Sequence, residues 1–515
     1  MCEACPSSCG RGMLVFSRSD GQGMPRRSSA VWLLAAALVL LPGDVRSEGP
    51  TASIDSGVSH AATDRDPEMD SLVHALAHER ALAGASLGIA VLDVDSGKLV
   101  AAVNEHVPLN PASNAKVFTA GAALAMLRGE FRYETTLTGK LDRDAVVGPL
   151  GVRGFGDPSL STADLWDMVA QLKTHSVRRV EGDIVVDQRF YDEQTTPPAY
   201  EQQPNEWSSF RAPVSAVALD ENCITLTVRP SSPGAPAHVT FDPPGFVDFD
   251  GTIRTSETPG ADTVELILSG NGPRMSARVS GAVGSDARLV RYTRRAEDPR
   301  LLAGYALKAL LVEAGISVSG DVKLGSVRGS TLAHHQSAPL SSLLYALGKH
   351  SDNFYAEMIF KSLGGETKAR PAKSADSSEV VEKWLERIGA SDADTVIKNG
   401  SGLFDANRVT AWSTVQLLNW AWRDPAVQPE FAAQLSVGGV DGSLHKRFRS
   451  EATRRRVRAK TGTLDDVIAL SGYVTRDGGK GPLAFSILWN HVGGKQDAAR
   501  RATDRLVELL AKRWR

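Results

Sequence analysis

Three short motifs in a fixed order constrain this chain more than any other feature. They are Ser-Asn-Ala-Lys at 113–116, Ser-Asp-Asn at 351–353 and Lys-Thr-Gly-Thr at 460–463. Each motif alone is a weak signal, and the first pattern recurs as Ser-Leu-His-Lys at 443–446, in a turn-like stretch. The order of the three motifs, their spacing and the sequence around each of them therefore carry the interpretation.

The context of the first motif makes Ser113 the candidate nucleophile. A proline-containing loop at 108–111 precedes it, and apolar residues at helical spacing follow it over 117–127. Residues three apart share a helix face, so Lys116 is expected one turn beyond Ser113, with its amine near the hydroxyl. A serine nucleophile needs such a base within hydrogen-bonding reach. Burial, or a second cation such as Lys460, lowers a lysine pKa and so favours the neutral amine. The alternative role for Ser113 is that of a helix cap.

The second motif interrupts a broadly helical pattern, which predicts a break between two helices. In a structural interpretation, Asp352 and Asn353 cap the second helix. In a functional one, Ser351 passes a proton towards a leaving group and the Asn353 amide holds a substrate carbonyl.

The third motif begins a series of predicted sheet strands that continues to Trp489. On an edge strand, Lys460 and the two threonines of the motif would offer a cation, hydroxyls and backbone N–H groups side by side. Such groups suit a terminal carboxylate and the oxyanion of an acyl transfer. The alternative is a surface lysine that merely precedes a strand.

With these motifs the chain resembles the penicillin-binding D-alanyl-D-alanine carboxypeptidases and endopeptidases of the low-molecular-mass class C type. The resemblance covers nearly all of residues 70–515 and includes Gly-Asp-Pro-Ser-Leu at 156–160, Asn-Gly-Ser-Gly-Leu at 399–403 and Asp-Gly-Ser-Leu at 441–444. It implies a serine that is acylated by the stem peptide of peptidoglycan and by β-lactam antibiotics. The implied site consists of catalytic Ser113, Lys116 and Ser351, and of substrate-binding Asn353, Lys460, Thr461, Gly462 and Thr463.

The resemblance also implies an α/β (α+β) fold, a penicillin-binding/β-lactamase-like transpeptidase domain whose antiparallel sheet is flanked by helices. Ser351 lies 238 positions after Ser113 (351 − 113), whereas Lys460 lies only 109 after Ser351. An extra β-rich domain inserted between the first two motifs is the simplest account of this difference. The predicted divisions are catalytic pieces at 65–135 and 326–515, an insertion at 136–325, and a nested subdomain near 230–285.

The N-terminal region has a pattern that is typical of an export signal. Residues 24–47 combine a short basic start with an apolar run at 30–41 that is too short to span a membrane. Residues 1–23 then form an upstream extension before a start at Met24. These features predict an exported protein in the periplasm or outside the cytoplasmic membrane, soluble or loosely associated with the membrane. A basic helix near 497–514 is expected to pack on the sheet, and an amphipathic membrane anchor is the alternative.

Composition excludes several classes of function. A net charge of −2 argues against a dedicated nucleic-acid binder. Three of the four cysteines fall in the upstream extension, which leaves Cys223 without a disulfide partner, and their cluster lacks companion metal ligands. No metal or organic cofactor is expected. The expected partners are peptidoglycan stem peptides and cross-links, with β-lactams as covalent inhibitors and with no transmembrane anchor after signal removal.

Two other functions remain open at this stage. A β-lactamase uses the same three motifs, but no convincing Glu-x-x-Leu-Asn motif lies between Ser351 and Lys460. A non-catalytic module that binds the wall or senses β-lactams is the second alternative, and the intact motif set argues against it.

Asp157 either lines a pocket for the third residue of the stem peptide or simply forms a turn.

Overall fold

A computed structural model describes residues 65–270 and 272–514. The predicted upstream extension at 1–23 and the predicted signal peptide at 24–47 lie outside the described residues. Among the residues that are described, no helix combines the length and the apolar content needed to cross a bilayer.

The helices occur mainly in the N-terminal and C-terminal parts of the described chain. Their bounds are α1 (Pro67–Ala77), α2 (Ala115–Met126), α3 (Thr162–Thr174), α4 (Leu302–Glu313), α5 (Leu340–Lys349), α6 (Asn353–Thr367), α7 (Ser374–Arg387), α8 (Ala411–Arg423), α9 (Gln428–Gln434) and α10 (Gln496–Arg513).

The strands fall into two groups, one at the ends of the described chain and one in its middle. Their bounds are β1 (Ser86–Asp93), β2 (Lys98–Val103), β3 (Glu134–Gly139), β4 (Leu141–Asp142), β5 (Ala145–Val146), β6 (Leu150–Gly154), β7 (Arg179–Val180), β8 (Ile184–Asp187), β9 (Cys223–Arg229), β10 (His238–Asp242), β11 (Val247–Gly251), β12 (Arg254–Ser256), β13 (Glu265–Ser269), β14 (Met275–Ser280), β15 (Ala282–Gly284), β16 (Val290–Arg295), β17 (Ser317–Val318), β18 (Val322–Leu324), β19 (Ser330–Gln336), β20 (Ser436–Val437), β21 (Val457–Leu464), β22 (Val467–Val474) and β23 (Leu483–Asn490).

The central sheet joins the two ends of the described chain. Its six strands run in the order β2-β1-β23-β22-β21-β20, and every neighbouring pair is antiparallel. Strands β22 and β23 are buried along their whole length, because helices cover both faces of the sheet. The α/β fold with a split antiparallel sheet, expected from the sequence, is confirmed.

Side chains alternate between two cores along β1. Ala90 and Leu92 face a core shared with α2 and α5 to α9, whereas Ile89 and Val91 face a core shared with α1 and α10. This alternation is the period of two that a strand between two helical layers requires. Helix α10 contributes a row of apolar side chains to the second core, so it packs on the sheet as expected.

The middle of the chain forms separate small sheets. One has the strand order β18-β8-β6-β3-β19 and another the order β17-β7-β5-β4, and both lie beside α3 and α4. Three further sheets of two or three strands are built from β9 to β16. Strand β19, which falls in the predicted second catalytic piece, pairs with β3 at the start of this middle region. The limits proposed for the insertion and for its nested subdomain stay predictions.

Burial on α10 allows a matched test of the second core. Leu506 is 1% exposed, whereas Leu509 on the same helix is 40% exposed. We expect Leu506→Ala to lower the free energy of unfolding by about 2–5 kcal/mol, because it leaves a cavity between α10 and the sheet. Leu509→Ala should cost about 0.5 kcal/mol or less. Urea unfolding followed by circular dichroism measures both, and equal losses would contradict this packing.

Candidate active site

Ser113 lies where a short turn enters a buried helix. A 3-10 turn at Ala112–Asn114 leads directly into α2, whose residues from 115 to 124 are all buried. Lys116 follows one turn later and its Nζ donates to Ser113 Oγ at 3.0 Å. The structure thus brings the predicted nucleophile and the predicted base into hydrogen-bonding contact.

The amine of Lys116 is completely buried and has three acceptors. In addition to Ser113 Oγ, it donates to Asn353 Oδ1 and to the carbonyl oxygen of Ser401, both at 2.7 Å. Burial lowers the pKa of Lys116 to about 7, against the opposing effect of the carboxylates of Glu357 and Asp352. Near neutral pH this amine therefore exchanges a proton readily, as a general base must.

The Ser-Asp-Asn motif lies between α5 and α6, as the interrupted helical pattern predicted. Ser351 adopts a left-handed backbone conformation with φ of 59°. Asp352 caps α6 by accepting the N–H of Tyr355 at 2.9 Å, a structural role that the sequence had left open. Asn353 binds Lys116 through its oxygen, and its nitrogen donates to the carbonyl of Phe210 at 3.0 Å.

The third motif lies on β21, one strand in from the edge of the sheet rather than at the edge itself. The outer strand β20 pairs with β21 only at Arg458 and Ala459, so it stops short of the motif. Thr461 is half-buried and Thr463 is exposed on this unpaired stretch. The hydroxyls and N–H groups of the motif can therefore face a ligand although β21 is an inner strand.

Lys460 links the second motif to the third. Its buried Nζ donates to Ser351 Oγ at 2.7 Å and to the carbonyl oxygen of Thr461 at 2.8 Å. Burial, reinforced by the charge of Lys116, holds the pKa of Lys460 well below its usual value. Burial is thus the main cause of the lowered pKa of both lysines, and repulsion between the two amines, which the sequence predicted, adds to it at Lys460.

Gly462 allows β21 to approach the nucleophile closely. A Cβ atom added at this position would lie 2.8 Å from the carbonyl oxygen of Pro111 and 3.1 Å from the side-chain nitrogen of Asn114. Any larger residue would therefore push the strand away from the turn that carries Ser113. Gly462 contributes to the site by letting the backbone of β21 lie close to the backbone of the turn that carries Ser113.

Sequence patterns missed two residues of this site. Ser401, in the Asn-Gly-Ser-Gly segment, supplies the third acceptor for Lys116 through its main chain. Ser443, the serine of the second Ser-x-x-Lys pattern, accepts a hydrogen bond from Thr461 Oγ1 at 2.8 Å. Both segments were noticed as motifs, but the contact of Ser401 is made by its main chain, and that of Ser443 depends on how its turn packs beside β21.

Asp157 forms a turn, which was the alternative to a pocket role. Its Oδ1 accepts the N–H of Ser159 at 2.8 Å and the hydroxyl of the same residue at 2.6 Å. The carboxylate is 2% exposed, and its other oxygen lies 3.4 Å from His335 Nε2.

Within residues 65–270 and 272–514, no group of three or more His, Cys, Asp or Glu side chains is placed to hold a metal ion.

Comparisons with known proteins all find similarity to D-Ala-D-Ala carboxypeptidases and penicillin-binding proteins. The model of the D-Ala-D-Ala carboxypeptidase 3 (S13) family matches residues 69–513. A D-alanyl-D-alanine carboxypeptidase of Actinomadura sp. (strain R39) is 34% identical in an alignment 499 residues long, which covers 93% of this chain and 89% of that protein. The crystal structure of penicillin binding protein 4 (DacB) from Haemophilus influenzae aligns with a TM-score of 0.68 and 25% identity, over 81% of this chain and 93% of that one.

Close packing at Gly462 predicts a specific defect. We expect Gly462→Ala to slow the labelling of Ser113 by a fluorescent acylating reagent by about 10- to 100-fold, because a displaced strand misaligns Lys460 and the threonines. Gly493→Ala is the matched control, since its added Cβ would have Asp466 Oδ1 as its nearest atom, at 3.4 Å. Labelling of Gly462→Ala at the wild-type rate would contradict the proposed close approach.

Proposed function

This chain belongs to the D-Ala-D-Ala carboxypeptidase 3 (S13) family, and we propose that it hydrolyses the D-Ala-D-Ala bond of peptidoglycan stem peptides through an ester on Ser113. The activity is that of a serine-type D-Ala-D-Ala carboxypeptidase. One observation carries the assignment of residues: Lys116 Nζ lies 3.0 Å from Ser113 Oγ and is buried, so a base of lowered pKa contacts the only hydroxyl of the first motif.

In the first half of the proposed reaction, neutral Lys116 takes the proton of Ser113. The Ser113 oxygen then attacks the carbonyl carbon between the two D-alanines, which gives a tetrahedral oxyanion. The N–H groups of Ser113 and Thr463 are proposed to hold that oxyanion, a type of donor worth about 10²–10³ in rate.

Collapse of this intermediate breaks the C–N bond and leaves the acyl group on Ser113. The proton that Lys116 took from Ser113 is proposed to pass through the pair Lys460–Ser351, joined at 2.7 Å, to the departing amine of D-alanine, which leaves Lys116 neutral again. Lys460, Thr461 and Thr463 hold the carboxylate of that residue, while Asn353 holds a substrate carbonyl. Water then cleaves the ester, with Lys116 again accepting a proton, and the serine is regenerated.

The same site supports two finer proposals. A D-alanyl cross-link differs from the terminal dipeptide chiefly beyond the scissile bond, so DD-endopeptidase activity is proposed beside carboxypeptidase activity. A β-lactam offers a strained amide to the same hydroxyl, so acylation of Ser113 by β-lactams is also proposed. These substrates lie in the cell wall, which agrees with the export predicted from the sequence.

Mass spectrometry of muropeptides tests this function directly. We expect incubation with the protein to remove one alanine from pentapeptides, and to split cross-linked dimers, because Ser113 forms the acyl-enzyme. Ser113→Ala should abolish both changes. Ser443→Ala, at the serine of the other Ser-x-x-Lys pattern, should still form a β-lactam adduct on the peptide that contains Ser113. An adduct on Ser443, or unchanged muropeptides, would refute the assignment.

The lowered pKa of Lys116 predicts how activity depends on pH. Below its pKa of about 7 the amine is an ammonium ion and cannot accept a proton. The acylation rate should therefore fall about tenfold per pH unit below that value and level off above it. Stopped-flow acylation between pH 5 and 8.5 measures this.

Lys116→Arg provides the control for the pH profile. Arginine keeps the positive charge but does not lose its proton in this range, so acylation should be lost at every pH. A wild-type rate that does not change between pH 5 and 8 would contradict the role of Lys116 as the base.

A further inference from the structure

Helix α6 carries a buried carboxylate that the mechanism above leaves unused. Glu357 lies one helix turn after Asn353, on the same face of α6, and is 2% exposed. Placing a carboxylate in the interior is costly unless hydrogen-bond donors surround it. The donors around Glu357 therefore indicate what it does.

Both oxygens of Glu357 bind the loop that contacts Lys116. Oε1 accepts the N–H of Ser401 at 2.8 Å and Oε2 accepts the N–H of Gly400 at 3.2 Å. The carbonyl oxygen of the same Ser401 accepts Lys116 Nζ at 2.7 Å. A chain of hydrogen bonds thus runs from the carboxylate, through one residue of main chain, to the amine beside the nucleophile.

We propose that Glu357 is a positioning residue, which holds the Ser401 carbonyl where it orients the Lys116 amine towards Ser113. The inference rests on the proposed function, because it needs Lys116 to be the base. Glu357 acts through the loop and does not touch the substrate.

The loop lies between two elements that must both stay close to it. Thr119 Oγ1, on α2, donates to the carbonyl of Gly400 at 2.8 Å. Gly402 has φ of +74°, and a Cβ added there would lie 1.8 Å from the carbonyl oxygen of Ala112. The loop is therefore held against the turn that carries Ser113 on one side and against Glu357 on the other. A shift of the carboxylate would move the Ser401 carbonyl, and the amine with it.

The charge of Glu357 also acts on the amine. The charged groups that affect the pKa of Lys116 are Glu357 and Asp352, which both raise it against the effect of burial, and Lys460 lies near enough to feel its charge. Around Glu357 itself stand Lys116, Lys361 and the Tyr200 phenol. Removing the carboxylate charge should therefore lower the pKa of Lys116 further. The acid limb of the pH profile, which is the range where the acylation rate falls as the pH is lowered, should then shift to lower pH.

The experiment measures acylation by a fluorescent β-lactam across pH, under single-turnover conditions. For Glu357→Gln we expect a rate about tenfold lower on the plateau and an acid limb displaced downward by about one pH unit. Glu366→Gln is the matched control, since it removes a carboxylate further along the same helix. Its rate and its limb should match those of the wild type.

Glu357→Asp separates position from charge. It keeps the carboxylate but withdraws it by one methylene, so the plateau rate should fall while the limb stays near that of the wild type. This variant also keeps the proposal testable if Glu357→Gln does not fold. A wild-type rate in Glu357→Asp overturns the proposal, and so does a slower Glu357→Gln whose limb has not moved, since that outcome reports only a structural role. A wild-type enzyme without an acid limb would instead refute the role of Lys116 as the base, whereas the muropeptide experiment tests the hydrolysis itself.

Discussion

The burial of the Lys116 amine is the constraint on which the rest of the site depends. A cation removed from water is tolerated only when acceptors replace its hydration shell. The three acceptors come from different segments: the turn of Ser113, the first residue of α6 and the loop at Ser401. Burial lowers the pKa of the amine, but it also means that a lost acceptor leaves a donor without a hydrogen bond, which lowers the stability of the fold. Each element that carries an acceptor must therefore stay within hydrogen-bonding distance of the amine.

The central sheet supplies that precision from one side. Strands β22 and β23 are buried throughout and leave little freedom to slide, since a shift of one residue would move every side chain from one of the two cores into the other. Strand β21 extends past its short outer neighbour and carries Lys460 to Ser351. The two lysines thus reach the two serines from different elements, Lys116 from a helix and Lys460 from a strand.

Local geometry was predictable from the sequence, and packing was not. The contact between Ser113 and Lys116 follows from helical periodicity alone, and the break before α6 follows from a polar triplet in an apolar pattern. The fold class and the split sheet followed from the family resemblance. The roles of Ser401 and Gly462 depend on which backbones meet, and an inner position for β21 depends on a two-residue strand that carries no pattern of its own. Buried Glu357 resembles any other glutamate on a helix until the loop beside it is known.

The pairing of β1 with β23 also has a consequence for the order of events during folding. Ser86, at one end of that pairing, is hydrogen-bonded to His491 across 405 positions of sequence. Contacts between such distant segments form slowly, because a long loop must close before they stabilise anything. Strand β1 has its inner neighbour only after residues 483–490 exist, so a nascent chain cannot assemble the central sheet early. Because Lys460 lies on β21 of the same sheet, its contact with Ser351 can form only late in synthesis.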